Sequence, residues 1–153
     1  MKIQKMKIEK LLPASYNPRK DLQPGDKEYE KIKRSIQEFG YVDPVIWNEQ
    51  TGHVVGGHQR LKVLQEMGET EVDVSVVSLS EEKEKALNIA LNKISGDWDE
   101  AKLAVLLEGM SDADALLTGF DASEVADLMQ EYAPEGEIIE DEIPDPPDVP
   151  TTK

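Results

Sequence analysis

Two adjacent glycines, Gly56 and Gly57, place the tightest local constraint on this chain. The preceding residues, His53-Val54-Val55, have the branched character of a strand. Immediately afterwards Leu61, Leu64 and Met67 recur at helical spacing. The unit is therefore strand, glycine turn, helix. N–H groups at a helix N-terminus favour anions, and glycines let a ligand approach the backbone closely. His58, Gln59 and Arg60 open the helix, and Arg60 brings a planar fork suited to phosphate or carboxylate. Taken locally, the pattern reads equally well as a tight turn with a surface arginine paired to Glu49 or Glu66.

The other elements follow from periodicity and punctuation. Residues 2–9 predict a strand closed by Leu12-Pro13, and residues 13–26 a loop with three prolines. Tyr29, Ile32, Ile36 and Phe39 share one face of a helix over 27–39, with Asp26 as N-cap and Gly40 beyond its end. Val45-Ile46-Trp47 and His53-Val54-Val55 flank a glycine-containing loop and predict a hairpin. The helix from 58 ends near Met67, and 71–79 is the strand richest in valine. Ser80 caps a helix over 81–94, with an expected buried stripe of Ala86, Leu87, Ala90, Leu91 and Ile94. Asp97 or Asp99 caps a further helix to about Glu108, and Asp121 opens a last one over 122–132. No internal repeat is visible. Aromatics are only 5% of the chain, so the core must be aliphatic.

Charge divides the chain. Residues 1–78 net zero, 79–133 net −9 and 134–153 net −6, which makes −15 in all. An acidic chain has no long-range attraction for a polyanion, so DNA contact would need a local patch or a partner. Lys27, Lys31, Lys33 and Arg34 form the only basic cluster, but Glu28, Glu30 and Glu38 interrupt it, and a charge-mixed solvent face is the better reading. There is no cysteine and hence no thiolate chemistry. No apolar run reaches the ~20 residues of a membrane span, and the N-terminus lacks a signal-peptide core, so a cytoplasmic protein is expected. The last segment, with five prolines and seven acids, is expected to be disordered. Two histidines do not make a metal site, none is proposed, and His53 is expected to be solvated.

Three segments, in order, resemble the N-terminal domain of the ParB/sulfiredoxin superfamily. Tyr16-Asn17-Pro18-Arg19 is similar to the Asn-Pro-Arg box of ParB-type proteins. Phe39-Gly40-Tyr41-Val42-Asp43-Pro44-Val45-Ile46 is similar to the helix end, turn and Pro-initiated strand of that fold. Gly57-His58-Gln59-Arg60 stands where ParB has Gly-Glu-Arg-Arg, sulfiredoxin Gly-Cys-His-Arg and a related free-serine kinase Gly-His-His-Arg. The runs 86–98 and 116–121 are similar to the ParB-like domains of phages and mobile elements that accompany DNA methyltransferases. The resemblance implies an α+β fold, a small mixed sheet with flanking helices, over 1–94. A helical extension over 95–133 and the acidic tail 134–153 would follow.

It also implies a phosphate or nucleotide site formed by Gly56, Gly57, His58, Gln59, Arg60, Asn17 and Arg19. Asn88, Asn92, Lys93 and Glu30 are further candidates, and no catalytic residue is assigned. The implied ligand is a nucleotide, CTP or ATP, with Mg2+. Departures narrow the activity. The sulfiredoxin cysteine falls on His58, which excludes that chemistry. The ParB glutamate of the same box also falls on His58, and the Glu-Asn pair that helps hold magnesium falls on Ile89 and Ala90. No helix-turn-helix or dimerisation domain is recognised after Lys93, so a chromosome-partition clamp is not expected.

Three functions stay open. The first is a phosphate- or nucleotide-binding domain serving a DNA-associated phage or mobile-element process, as accessory or adaptor to DNA-modifying machinery. The second is a small enzyme of this fold: a nuclease, a nucleotidase or a small-molecule kinase. The third is an acidic protein-interaction module. The expected partners are DNA or a DNA-modifying protein such as a methyltransferase, with a weak homodimer as a further option and no membrane.

Overall fold

A computed structural model describes residues 1–17, 22–94 and 96–132. The expected disorder of the tail falls outside these residues, as does Arg19. The chain separates into two compact units, Met1–Gly96 and one beginning at Asp97.

The first unit is built on a five-stranded mixed sheet. Its strands are β1 (Lys2–Lys7), β2 (Leu12–Pro13), β3 (Val45–Asn48), β4 (His53–Gly56) and β5 (Glu71–Val77), in the order β1-β5-β3-β4-β2. β1 runs antiparallel to β5, with Lys2 opposite Val76 and Lys7 opposite Glu71. β5 and β3 are parallel, with Val45 opposite Val74. β3 and β4 form the expected hairpin, antiparallel with a register shift between Ile46 and Trp47. The α+β class and the mixed sheet agree with the sequence reading.

Three helices flank the sheet: α1 (Lys27–Phe39), α2 (His58–Glu66) and α3 (Glu81–Lys93). The main core is aliphatic: Ile8, Leu11, Val45, Val54, Leu64, Val72 and Val74. A second cluster joins Leu22 and Tyr29 to Val63. Val45, Val54, Val63 and Val74 are fully inaccessible. Burying each contributes on the order of 2 kcal/mol.

The second unit contains α4 (Glu100–Glu108), α5 (Asp112–Leu117) and α6 (Ala122–Tyr132). Asp99 Oδ1 accepts from Lys102 N at 3.1 Å, which confirms the expected cap. Asp121 and Glu124 exchange reciprocal side-chain to N–H bonds of 2.9 and 3.0 Å, a capping box.

Several sequence expectations need correction. The first strand stops at Lys7, because Ile8 N bonds Thr70 O and a 3-10 turn, Ile8–Lys10, carries Ile8 into the core. β2 was not expected; its two residues include a proline and run parallel to β4, too short for any period to register. α5 was missed for the same reason of length; Ser111 Oγ caps it by accepting from Asp114 N. The expected apolar stripe of α3 is also wrong. Glu84 and Asn88 are its buried residues, while Leu91 is 43% and Ile94 78% exposed. The face that α3 turns toward the hairpin is polar because the groups it meets there are polar.

Candidate functional site

The glycine turn has the anticipated form. β4 ends at Gly56, Gly57 adopts φ 87° and ψ 22°, and α2 begins at His58. Leu61 N bonds Gly57 O at 2.9 Å and closes the first helical turn. A left-handed backbone favours glycine, and here space requires it too. A Cβ on Gly57 would lie 2.8 Å from Arg60 Nη2 and 3.1 Å from Val45 Cα.

Arg60 therefore folds back over the turn. Its Nη2 donates to Pro44 O at 3.2 Å, and its Nη1 pairs with Asp43 Oδ2 at 3.4 Å. The partner is Asp43, not the Glu49 or Glu66 suggested by sequence. Lys2 pairs with Glu49, and Glu66 hydrogen-bonds the Tyr29 phenol. Arg60 Nε is buried and has no hydrogen-bond partner. The positive end of the α2 dipole adds to this guanidinium. Gly57, the start of α2 and Arg60 thus meet at one corner, with Asp43 beside the guanidinium.

The other candidates divide. His58 is half-buried at the first position of α2. Gln59 is buried, and its Oε1 accepts from Leu22 N at 3.4 Å, so its side chain holds Leu22 in place ahead of α1. Asn17 is half-buried, with its N–H on Ala14 O. Asn88 donates through Nδ2 to Val55 O at 2.9 Å, one residue before the glycines, and its buried Oδ1 has no hydrogen-bond partner. Asn92 Nδ2 donates in turn to Asn88 O at 2.8 Å. Lys93 is exposed in the last turn of α3. Glu30 accepts from Gly25 N at 3.1 Å, a bond that closes the start of its own helix. Gly56 lies under α3: a Cβ there would meet Leu91 Cδ1 at 3.1 Å.

Sequence reasoning missed a second polar centre. Glu84 is fully buried and receives four side-chain donors. Tyr16 Oη and Thr51 Oγ1 donate through short bonds. Asn48 Nδ2 donates at 2.7 Å, and His53 Nδ1 stands at 2.9 Å. His53 is thus a partner of a buried carboxylate, not a solvated hairpin residue. Asn48 is itself satisfied by both backbone groups of Leu79, each at 2.9 Å. Burial alone would raise the Glu84 pKa. The bonds from Thr51, Tyr16, Asn48 and His53 outweigh it and bring it down to about 2. Burial, and then the bond to Glu84, pushes the Tyr16 phenol above its usual range, so it stays a donor. The centre ties the residue before Asn17, the hairpin loop and α3 together. Its only sequence signal is a glutamate at a helix start that also suits the dipole.

Among the described residues no group of three or more His, Asp or Glu side chains is placed to hold a metal ion. None of their helices is long and apolar enough to cross a membrane.

No curated protein matches the chain in sequence. The fold is similar to the C-terminally truncated chromosome-partitioning protein ParB from Caulobacter crescentus complexed with CTP-gamma-S. The TM-score is 0.66 at 22% identity, over 85% of this chain and 78% of that one. It is also similar to a Pnob8-like ParB-N domain, with TM-score 0.50 at 18% identity, over 70% of this chain and 43% of that one. At these identities the likeness is one of fold. Residues 101–153 match the ParB-methyltransferase HTH domain. That match corrects the expectation that no helix-turn-helix follows Lys93: the helices of the second unit are short and acidic, and their pattern alone did not reveal it. Residues 1–93 match the ParB N-terminal domain, and with the sheet order and glycine turn in place this chain belongs to the ParB N-terminal domain family.

Proposed function

We propose that the first unit binds a nucleotide or another phosphate-bearing ligand at the Gly57–Arg60 corner. In this reading the protein serves a DNA-associated process of a phage or mobile element, as an accessory or adaptor to DNA-modifying machinery such as a methyltransferase. The observation that carries the ligand reading is Arg60 lying over a left-handed Gly57 at the start of α2. The cradle is one that a Cβ would fill, and Arg60 Nε is a buried donor with no partner. Both features suit a phosphate oxygen. The fold similarity to a ParB complexed with CTP-gamma-S supports a nucleotide, and the methyltransferase-linked family over 101–153 supports the DNA-modifying setting.

In this reading Arg60 and the start of α2 hold the phosphate, Gly57 lets it come close, and Gln59 holds Leu22. A bound magnesium ion would neutralise phosphate charge. Asp43 is the carboxylate already at the corner.

Calorimetry with CTP, ATP and inorganic phosphate, with and without Mg2+, tests the assignment. Arg60→Ala should weaken binding by about 1.5–3 kcal/mol, the loss expected for a charge-assisted hydrogen bond. Equal affinity in wild type and variant would remove the corner from this account.

A further inference from the structure

Among the described residues, the second unit carries a helix face that its other helices do not cover. On α4, Ala104 and Leu107 point inward and are buried. Ala101, Lys102, Val105 and Leu106 lie on the other side and outline a shallow surface groove. Val105 is 50% and Leu106 63% exposed. Among the described residues of this unit, only Ala104, Leu107 and Ala115 are buried hydrophobics, and α6 buries none of its side chains fully. An apolar helix face left open on such a unit is surface that an interaction would complete.

The charge around this face selects the occupant. Residues 97–132 contain ten Asp and Glu and a single basic residue, Lys102. Lys102 Nζ lies 4.0 Å from Asp99 Oδ2, so even that cation has a carboxylate beside it. A surface that neutralises phosphates needs several Lys or Arg, and residues 97–132 offer Lys102 alone. The charge of this stretch thus works against a polyanion, although residues 101–153 match a helix-turn-helix family. An apolar stripe flanked by positive charge meets complementary surface here on both counts.

We infer that the open face of α4, centred on Val105 and Leu106, docks an amphipathic helix of a protein partner whose apolar stripe is flanked by Lys and Arg. This face belongs to the second unit and the Gly57–Arg60 corner to the first, and the inference does not rest on the phosphate reading.

The test uses the full chain and a synthetic amphipathic helix of about 18 residues, five turns, with Leu on one face and Lys and Arg beside it. A scrambled peptide of the same composition and a random-sequence duplex serve as comparisons. At about 0.15 M salt the amphipathic peptide should bind at least about tenfold more tightly than the scramble, and the duplex more weakly than either. Leu106→Ser and Val105→Ser, both at exposed positions, should each weaken peptide binding about tenfold, and Arg60→Ala should leave it unchanged. Amide shift mapping on the unaltered chain should place the peptide on α4, a readout independent of how the variants fold. Equal binding of peptide and scramble, or shifts away from α4, would overturn the inference. So would duplex binding lost on Leu106→Ser, or self-association of the chain abolished by it, which would assign the face to DNA or to a second copy.

Discussion

The carboxylate of Glu84 lies 2.9 Å from His53 Nδ1, and three further side chains donate to the same two oxygens. Its pKa falls from 4.5 to about 2 in the folded protein. A depressed carboxylate stabilises the fold at pH above its unfolded value and loses that contribution as pH drops through the folded value. The contribution is on the order of 3 kcal/mol when fully present. Stability should therefore fall between about pH 4.5 and pH 2 with a slope approaching one proton. Glu84→Ala should destabilise the protein by about 3–5 kcal/mol, because four donors lose a buried acceptor. Denaturant titrations across that pH range measure both. A wild-type slope retained by the variant would exclude Glu84 as the titrating group.

Tyr16→Phe removes one of the four donors and little volume. The expected cost is about 1.5–3 kcal/mol, the range for a hydrogen bond to a charged group. With one donor fewer, the folded pKa of Glu84 should rise, and acid unfolding should begin at higher pH than in the wild type. A Phe variant with unchanged stability would show that the Tyr16 bond is replaced by solvent.

Gly57→Ala combines two penalties. The residue sits at φ 87°, and the new methyl would meet Arg60 Nη2 and the Val45 backbone. Gly68 has φ 93° with no neighbour within 4 Å, so Gly68→Ala isolates the backbone penalty alone. Gly57→Ala should cost about 1–3 kcal/mol, more than Gly68→Ala, and should also weaken phosphate binding, which the Gly68 change should leave alone. Comparable melting shifts and unaltered ligand affinity in both variants would refute the close-approach role.

Asp43→Asn tests competition at the corner. Asp43 is 72% exposed and pairs with Arg60 at 3.4 Å. An incoming phosphate must share Arg60 with it. Without Mg2+, removing the charge should tighten phosphate binding about two- to fivefold at low salt, the scale of an exposed ion pair. The gain should shrink as salt is raised. Weaker binding in the variant would mean that Asp43 helps to position Arg60 for the ligand.

The parts legible in sequence are those with a period. Helix α1 has its full span written in Tyr29, Ile32, Ile36 and Phe39, and it spans Lys27–Phe39. The glycine turn is legible because Gly-Gly between a strand and a helix has few solutions. The Glu84 centre is not. Its members are drawn from residues 16, 48, 51, 53 and 84, and only the fold brings them together. In sequence Glu84 is one of three glutamates at the start of α3, all equally suited to the helix dipole. The same blindness produced the wrong stripe on α3: periodicity marks apolar faces, and this helix is seated by polar ones. Arg60 was visible as a candidate, but its partner Asp43 lies 17 residues away across a strand, beyond the reach of any helix-spacing rule.

The sheet order has a consequence for crowded conditions. An open strand margin is a template on which a second chain can add itself. One margin here is β1, where Lys2, Lys5 and Lys7 place charge along the strand and Lys2 and Lys5 pair with Glu49 and Asp73. The other is β2, only two residues long, and Pro13 offers no N–H there. Neither margin invites strand addition, so the valine-rich interior strands β3, β4 and β5 stay inaccessible to self-templating even when many copies of the protein are gathered at one place.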